Sequence, residues 1–377
     1  MFSVRGFKRL ALGGTLLSAL AFFSCHSESS DKPTAAAPPT LKIGFLYVGS
    51  KDDYGYNQSH AEGAAVVAKL PGVQVIEQEN VPETVAVEKA MEGMIEQDGV
   101  SVIFATSFGY WSHVLTVAKL YPKVMFFHCG GLYQADKDPP NVYSYFGYIE
   151  EGQYLNGIAA GYATKSGKLG FIAAKPIPQV LENINAFTLG ARSVNPHVTT
   201  TVVFTGDWNL PIQEANAANS LIDRGIDVIT MHVDSPKVIV QTCEKRGVWV
   251  CGYHADQASL APDKYLTGAI WNWGKVYTTL VQEIQQGLEP SHFFRGGLKD
   301  GFVTMAPLGP GVSATAKAKI EAVQNEMLAG KFVIFKGPLK DNQGHLVIPA
   351  GTSEVQTDPV LEKMNYLVQG VVGTTGM

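Results

Sequence analysis

Cysteine is scarce in this chain, with four among 377 residues. Setting aside Cys25, which stands in a leader-like segment, Cys129, Cys243 and Cys251 remain, and an odd number cannot pair completely. Cys243 falls on a helical stretch and Cys251 in the strand that follows it. Buried free thiols are therefore the reading, with a Cys243–Cys251 bridge as the alternative in an exported protein. No His/Cys cluster has metal-ligand spacing, and no cofactor is expected. Basic excess is missing too: 29 Lys and Arg against 34 Asp and Glu give a net charge of −5 with no basic stripe, so nucleic acid is not an expected partner. There is no G-x-S-x-G elbow, which weighs against a secreted hydrolase built on Asp52, Asp53 and His60.

A long apolar run is also missing. Leu10–Phe23 is apolar but too short for a stable span, and it follows the positive residues Arg5, Lys8 and Arg9. Residues 1–24 thus read as an export signal. The Ser24-Cys25 junction resembles a bacterial lipobox, which would make Cys25 the lipidated N-terminus, although Phe22 and Phe23 depart from the usual pattern. A plain secretory peptide is the alternative. Residues 25–40, rich in Ser, Pro and Ala, read as a flexible tether.

What the chain does have is 46% hydrophobic residues, ample for burial, and a regular alternation beyond residue 40. Strand-like runs at 41–48, 73–76, 100–105, 123–128 and 142–146 are followed by a second series at 169–174, 200–204, 227–232 and 248–252. Helical periodicity fills the gaps, beginning with a small-residue helix over 61–70. Strands alternating with helices of 10–15 residues mean βαβ units and a parallel sheet. Two series mean two doubly wound α/β lobes joined by a hinge, the first from 41–145 plus 253–290 and the second from 146–252 plus 291–372. Crossovers are expected at Asn141–Ile149 and at Gly252–Asp256.

Ligands of open α/β sheets sit at the carboxyl ends of the strands, and those ends share a composition here. The first strand runs into Asp52, Asp53, Tyr54, Gly55, Tyr56, Asn57, Gln58, Ser59 and His60. Later ends carry Thr106-Ser107-Phe108-Gly109-Tyr110-Trp111, Gly206-Asp207-Trp208-Asn209, His232-Val233-Asp234-Ser235 and Tyr253-His254-Ala255-Asp256. The run Tyr265–Ile270 ends in Trp271-Asn272-Trp273. Four of the five tryptophans fall at these ends. Any one of them could equally be core. As a set, aromatics ringed by amides and carboxylates suit a flat ligand stacked between rings and hydrogen-bonded at its rim.

Several of these stretches together resemble the basic membrane protein (PnrA-like) group of ABC-transporter substrate-binding lipoproteins, over roughly residues 41–372. They are Asp53-x-Gly55-Tyr56-Asn57, His60-x-Glu62-Gly63, TSFGY at Thr106–Tyr110, INAFTLGARSVNP at Ile184–Pro196, HVDSP at His232–Pro236, WNWG at Trp271–Gly274 and GGLKDG at Gly296–Gly301. The resemblance implies a type I periplasmic binding protein fold, a small-molecule ligand, permease and ATPase partners, and a lipid-anchored position in the cell envelope. It is nearest the subgroup that binds purine bases such as adenine. In that family two aromatics sandwich the purine, and they correspond here to Tyr56 and Trp208, with Asn57 beside the first. The family's early carboxylate is His254 in this chain and only Asp256 remains acidic, which favours a free base over a nucleoside. His60, Ser107, Phe108, Asp234, Trp271 and Asn272 complete the expected ligand set. A nucleoside or sugar binder, or a sensor for a membrane receptor, are the alternatives.

Overall fold

The computed structural model describes residues 40–376; the expected export signal and tether, with Cys25, lie outside them. The chain begins with β1 (Leu41–Leu46), α1 (Tyr56–Val67), β2 (Val73–Gln78), α2 (Val85–Glu96), β3 (Val102–Ala105), α3 (Trp111–Leu120), β4 (Met125–Cys129) and β5 (Val142–Gly147). It continues through α4 (Glu150–Ala163), β6 (Lys168–Ala173), α5 (Pro178–Val194), β7 (Thr199–Phe204), α6 (Pro211–Asp223), β8 (Val228–His232), α7 (Lys237–Arg246), β9 (Trp249–His254) and β10 (Tyr265–Trp271). It closes with α8 (Trp273–Gln285), β11 (Phe293–Gly296), β12 (Val303–Met305) and α9 (Ala314–Leu328), followed by short strands ending in Val371–Val372. Each of the nine expected strands is present within a few residues of its anticipated limits.

Two sheets result. The first has the order β11-β5-β4-β3-β1-β2, all parallel. The second has the order β12-β10-β9-β8-β6-β7 with Val371–Val372 at its far edge, parallel except for β12. Strands buried on both faces explain the unbroken apolar runs of β3 and β8, every residue of which is buried. The lobe limits differ from expectation at two strands. β10, anticipated in the first lobe, pairs with β9 in the second sheet, and β11, anticipated in the second, pairs with β5 in the first. Hence the chain does not cross at Gly252–Asp256. It crosses at 147–150, again at 271–273 and a third time at 296–303. The strand run and the helix after it read as one βα unit in sequence, but the sheet edge each one fits is a long-range choice.

The start of α1 also differs. The helix begins at Tyr56 rather than at Ala61 because the Asp53 carboxylate caps it. Asp53 Oδ1 accepts from the amides of Gly55 and Gln58 at 2.8 and 3.0 Å, and Oδ2 from the Asn57 amide at 3.0 Å. A carboxylate that satisfies several orphan amides of a first turn is a strong N-terminal signal. Helix α9 had no counterpart in the sequence reading; its Ser313 hydroxyl caps the Ala316 amide at 3.2 Å. The three cysteines are buried and free, so no Cys243–Cys251 bridge forms. No described helix is long and apolar enough to cross a membrane.

The lobes meet through a few direct contacts. Tyr56 N–H donates to the Asp234 carbonyl at 2.9 Å, the Ser235 hydroxyl to the Asp53 carbonyl at 3.1 Å, and Gln257 Nε2 to the Tyr54 carbonyl at 2.7 Å. Gly55 sits at the tightest point. Its φ of −150° and ψ of −123° lie outside the helical and extended regions, and a Cβ there would stand 2.0 Å from the Asp234 carbonyl oxygen and 2.4 Å from Pro236. Gly55→Ala is therefore expected to leave each lobe folded while holding the lobes apart. Small-angle scattering should show a larger radius of gyration than wild type at unchanged helix content. An unchanged radius would mean that the lobes can meet without this approach.

Candidate functional site

The strand ends of both sheets surround a cavity between the lobes, at the carboxyl ends where ligands of open α/β sheets gather. From the first lobe it is lined by Tyr56, Ser107, Phe108, Cys129 and Phe146, and from the second by Ile177, Gln179, Trp208, His232, Asp234, Tyr253, His254 and Trp271. Seven of the expected ligand residues are thus brought together: Tyr56, Ser107, Phe108, Trp208, Asp234, His254 and Trp271.

Each is fixed by its neighbours. The Tyr56 hydroxyl donates to the Thr106 carbonyl at 2.6 Å, anchoring the first residue of α1 to the end of β3. His254 closes β9 in a left-handed conformation, φ +75°, which costs a non-glycine residue free energy and persists only where surroundings impose it. Here the Trp271 indole N–H donates to its Nδ1 at 2.8 Å. That assigns the proton of the neutral ring to Nε2. Burial pushes the His254 and His232 imidazoles down, His232 to about 3, so both are uncharged. Trp208 follows the Gly206 turn. Its carbonyl accepts from the Asp234 amide at 2.8 Å, and the Lys175 ammonium lies 5.0 Å over its ring. Lys175 pairs with Asp207 of its own lobe at 2.8 Å and approaches Glu83 of the other at 3.5 Å. The Ser107 hydroxyl donates to that same Glu83 at 2.6 Å.

Asp234 is the carboxyl of the cavity wall. Burial holds it well above the usual carboxylate range, and the nearby charges of Asp53 and Glu83 raise it further, against a lowering hydrogen bond from Asn57. Cys129 is no nucleophile, since burial pushes its thiol up to about 12. The walls therefore offer aromatic faces, neutral imidazoles, one amide and one carboxyl. Such a set is suited to stacking and hydrogen bonding.

Four expected residues do not reach the cavity, and each has another task. Asn57 accepts from the Gly49 amide at 3.1 Å and donates to Asp53 at 2.8 Å, bracing the loop under α1. His60 is buried behind Tyr56, stacked on Trp273 with ring centres 4.7 Å apart. Asp256 is exposed and caps a short turn through the Ala258 amide at 2.9 Å. Asn272 caps α8 and donates to the Gly301 carbonyl at 3.0 Å. Nor do Asp52, Asp53 and His60 form a catalytic cluster, because Asp53 is spent as a helix cap and His60 on the core. Cys129, Phe146, Ile177, Gln179, His232 and Tyr253 were not in the expected set. Four of them close β4, β5, β8 and β9, so the strand-end rule could have found them. Ile177 and Gln179 lie at the mouth of α5 with no comparable signal.

Two parallel-sheet lobes, three crossings and a cavity at their facing carboxyl ends define a two-lobed solute-binding protein of the type I periplasmic class. The chain belongs to the Bmp family, ABC transporter substrate-binding protein PnrA-like, whose model matches residues 40–335. Among its relatives is a purine-binding protein of Brucella abortus, 35% identical over 89% of this chain and 94% of that protein. A Haloferax volcanii protein named for ABC-transporter glucose binding is 31% identical over 92% of this chain and 84% of its own length. A solved ABC-transporter solute-binding protein from Aeropyrum pernix K1 shares the fold with a TM-score of 0.67 at 19% identity, covering 80% of this chain and 93% of that one.

The carboxyl of Asp234 carries a stability consequence. Between the unfolded aspartate value of about 4 and its raised folded value, the folded chain holds more proton than the unfolded one. Stability is therefore lost as pH rises across that window. Asp234→Asn should raise the melting temperature of the ligand-free protein at pH 7–8, with a gain that shrinks as pH falls toward 4. A variant no more stable than wild type at pH 8 would mean that this carboxyl is compensated in the folded state.

Proposed function

We propose that this chain captures a purine base, adenine-like, and delivers it to the permease and ATPase of an ABC importer. The observation that carries the reading is the placement of Tyr56 and Trp208, from different lobes, on the walls of one aromatic cavity with Asp234 and His254 between them. Base–aromatic stacking contributes on the order of 1–3 kcal/mol per ring. A base bridging the lobes binds the closed arrangement better than the open one and shifts the population toward it. The Brucella relative's name supports a purine. The Haloferax relative's name favours a sugar, and aromatic faces also serve sugar rings. Against a sugar stands the predominance of aromatic and imidazole groups on the wall, with Asp234 its single carboxyl and Gln179 its single side-chain amide. Mass spectrometry of whatever small molecule stays bound through purification separates the two.

The edge at His254 argues for a bare base. A carboxylate accepts two ribose hydroxyls, whereas the imidazole has given its Nδ1 to Trp271 and presents only a donor. Adenine is expected to bind at least tenfold more tightly than adenosine, and Trp208→Ala and Tyr56→Ala each to weaken adenine binding at least tenfold, about 1.4 kcal/mol. Calorimetric titration measures all of these. A preference for adenosine would sink the base reading, and unchanged affinity in both variants would remove the sandwich.

Delivery requires that the protein stay near its permease, which the lipobox-like Ser24-Cys25 junction supports. In cell fractionation, Cys25→Ser is expected to move the protein from the membrane to the soluble envelope fraction. Retention in the membrane would point to anchoring by the uncleaved apolar segment.

A further inference from the structure

We propose that Gln179 is the specificity-determining residue of the cleft. Its side-chain amide reads an exocyclic amino group and the adjacent ring nitrogen of the bound base. The inference rests on the purine reading above and extends it to a residue of α5.

Most polar groups around the cavity are already committed. The Ser107 hydroxyl is held by Glu83 and the Tyr56 hydroxyl by the Thr106 carbonyl. The Trp271 indole is given to His254. Asn183 Nδ2 lies 2.8 Å from both His232 Nδ1 and the Tyr253 hydroxyl. Gln179 is not committed. It is 8% exposed, yet its Oε1 is buried with no hydrogen-bond partner. A buried acceptor left unpaired is destabilising, and a folded chain rarely keeps one without a use. The position is not one that requires a polar residue: Gln179 follows Pro178 in the first turn of α5 and makes none of that turn's caps.

The amide also lies where a ligand would meet it. Gly130, directly after β4 in the other lobe, has φ +84°, and a Cβ placed there would stand 3.5 Å from the Phe146 ring and 3.8 Å from Gln179 Nε2. Gln179 therefore reaches from the second lobe to the strand end of the first, beside an aromatic wall of the cavity. Its planar amide presents an acceptor and donors side by side, the pattern with which Gln and Asn read the amino group and neighbouring ring nitrogen of adenine. Of the other unpartnered nitrogens, Trp208 Nε1 is a donor only, and His254 has one free nitrogen, which carries its proton. The Asp234 carboxyl is the other wall group that offers a donor and an acceptor, and it stands in the second lobe at the contact with Tyr56 rather than beside Gly130 and Phe146.

The test is titration of wild type and Gln179→Met with adenine and with unsubstituted purine, which lacks the amino group. Wild type is expected to prefer adenine at least tenfold. In Gln179→Met that ratio should fall to within threefold of unity, with adenine affinity falling at least tenfold and purine affinity falling less, because purine lacks only the amino group; an unchanged melting temperature reports an intact fold. Should the methionine variant not fold, Gln179→Ala is carried through the same titrations. A variant that keeps the wild-type ratio overturns the inference, as does a wild type that binds both compounds equally. Wild-type protein that binds neither defeats the base reading itself, and this inference with it.

Discussion

One hydrogen bond joins the two halves of the site: the amide of Tyr56 donating to the carbonyl of Asp234, at 2.9 Å. Both residues line the cavity, and they belong to different lobes. The contact exists because Gly55 lets two backbones approach where any side chain would intrude. It exists also because the Asp53 cap starts α1 early enough to point the Tyr56 amide outward from the helix. If either condition fails, the aromatic of the first lobe loses its fixed relation to the carboxyl and indole of the second. Ser235 to Asp53, Gln257 to Tyr54 and the Lys175 ammonium beside Glu83 flank this bond, and the Tyr56 and His254 rings meet beside it with centres 5.1 Å apart.

Closing the lobes sets the electrostatics of the cleft. Taken from water, the imidazoles of His232 and His254 lose their protons and the carboxyl of Asp234 holds its own more tightly. The cleft is nearly neutral when shut, a suitable environment for an uncharged heterocycle. A fixed charge facing such a ligand would have to be desolvated without compensation. Trp208 stands between this interior and the charged rim, lining the cavity while the Lys175 ammonium lies 5.0 Å over its ring.

The aromatic residues at the strand ends divide into two groups with different work. Trp208 and Trp271 line the cavity. Trp273 lies one layer behind Trp271, with ring centres 4.4 Å apart, and His60 and Tyr277 continue the stack into the first lobe. This column passes through the crossing at 271–273, so the residues that stiffen the hinge also support a wall of the site. Beside another crossing, Arg295 forms a buried pair with Glu362 at 2.9 Å and donates to the Gly131 carbonyl at 3.1 Å, tying the end of the chain to the first sheet.

By itself the sequence determined the βαβ alternation, the two lobes and the rule that function gathers at strand ends, because apolar periodicity and local composition are properties of neighbouring residues. That rule was enough to collect Tyr56, Ser107, Phe108, Trp208, Asp234, His254 and Trp271. It could not tell them from Asn57, His60, Asp256 and Asn272, which share the same stretches but face caps and core. A residue's direction from a helix turn or strand end depends on the helix start, and the start of α1 was decided by the hydrogen bonds of Asp53. Only the tertiary structure decided which sheet receives β10 and β11, since the edge a strand joins depends on partners far away in the chain. It alone brought Gln179 to the cavity, because a glutamine in a helix's first turn carries no sign of the strand end that folding places opposite it.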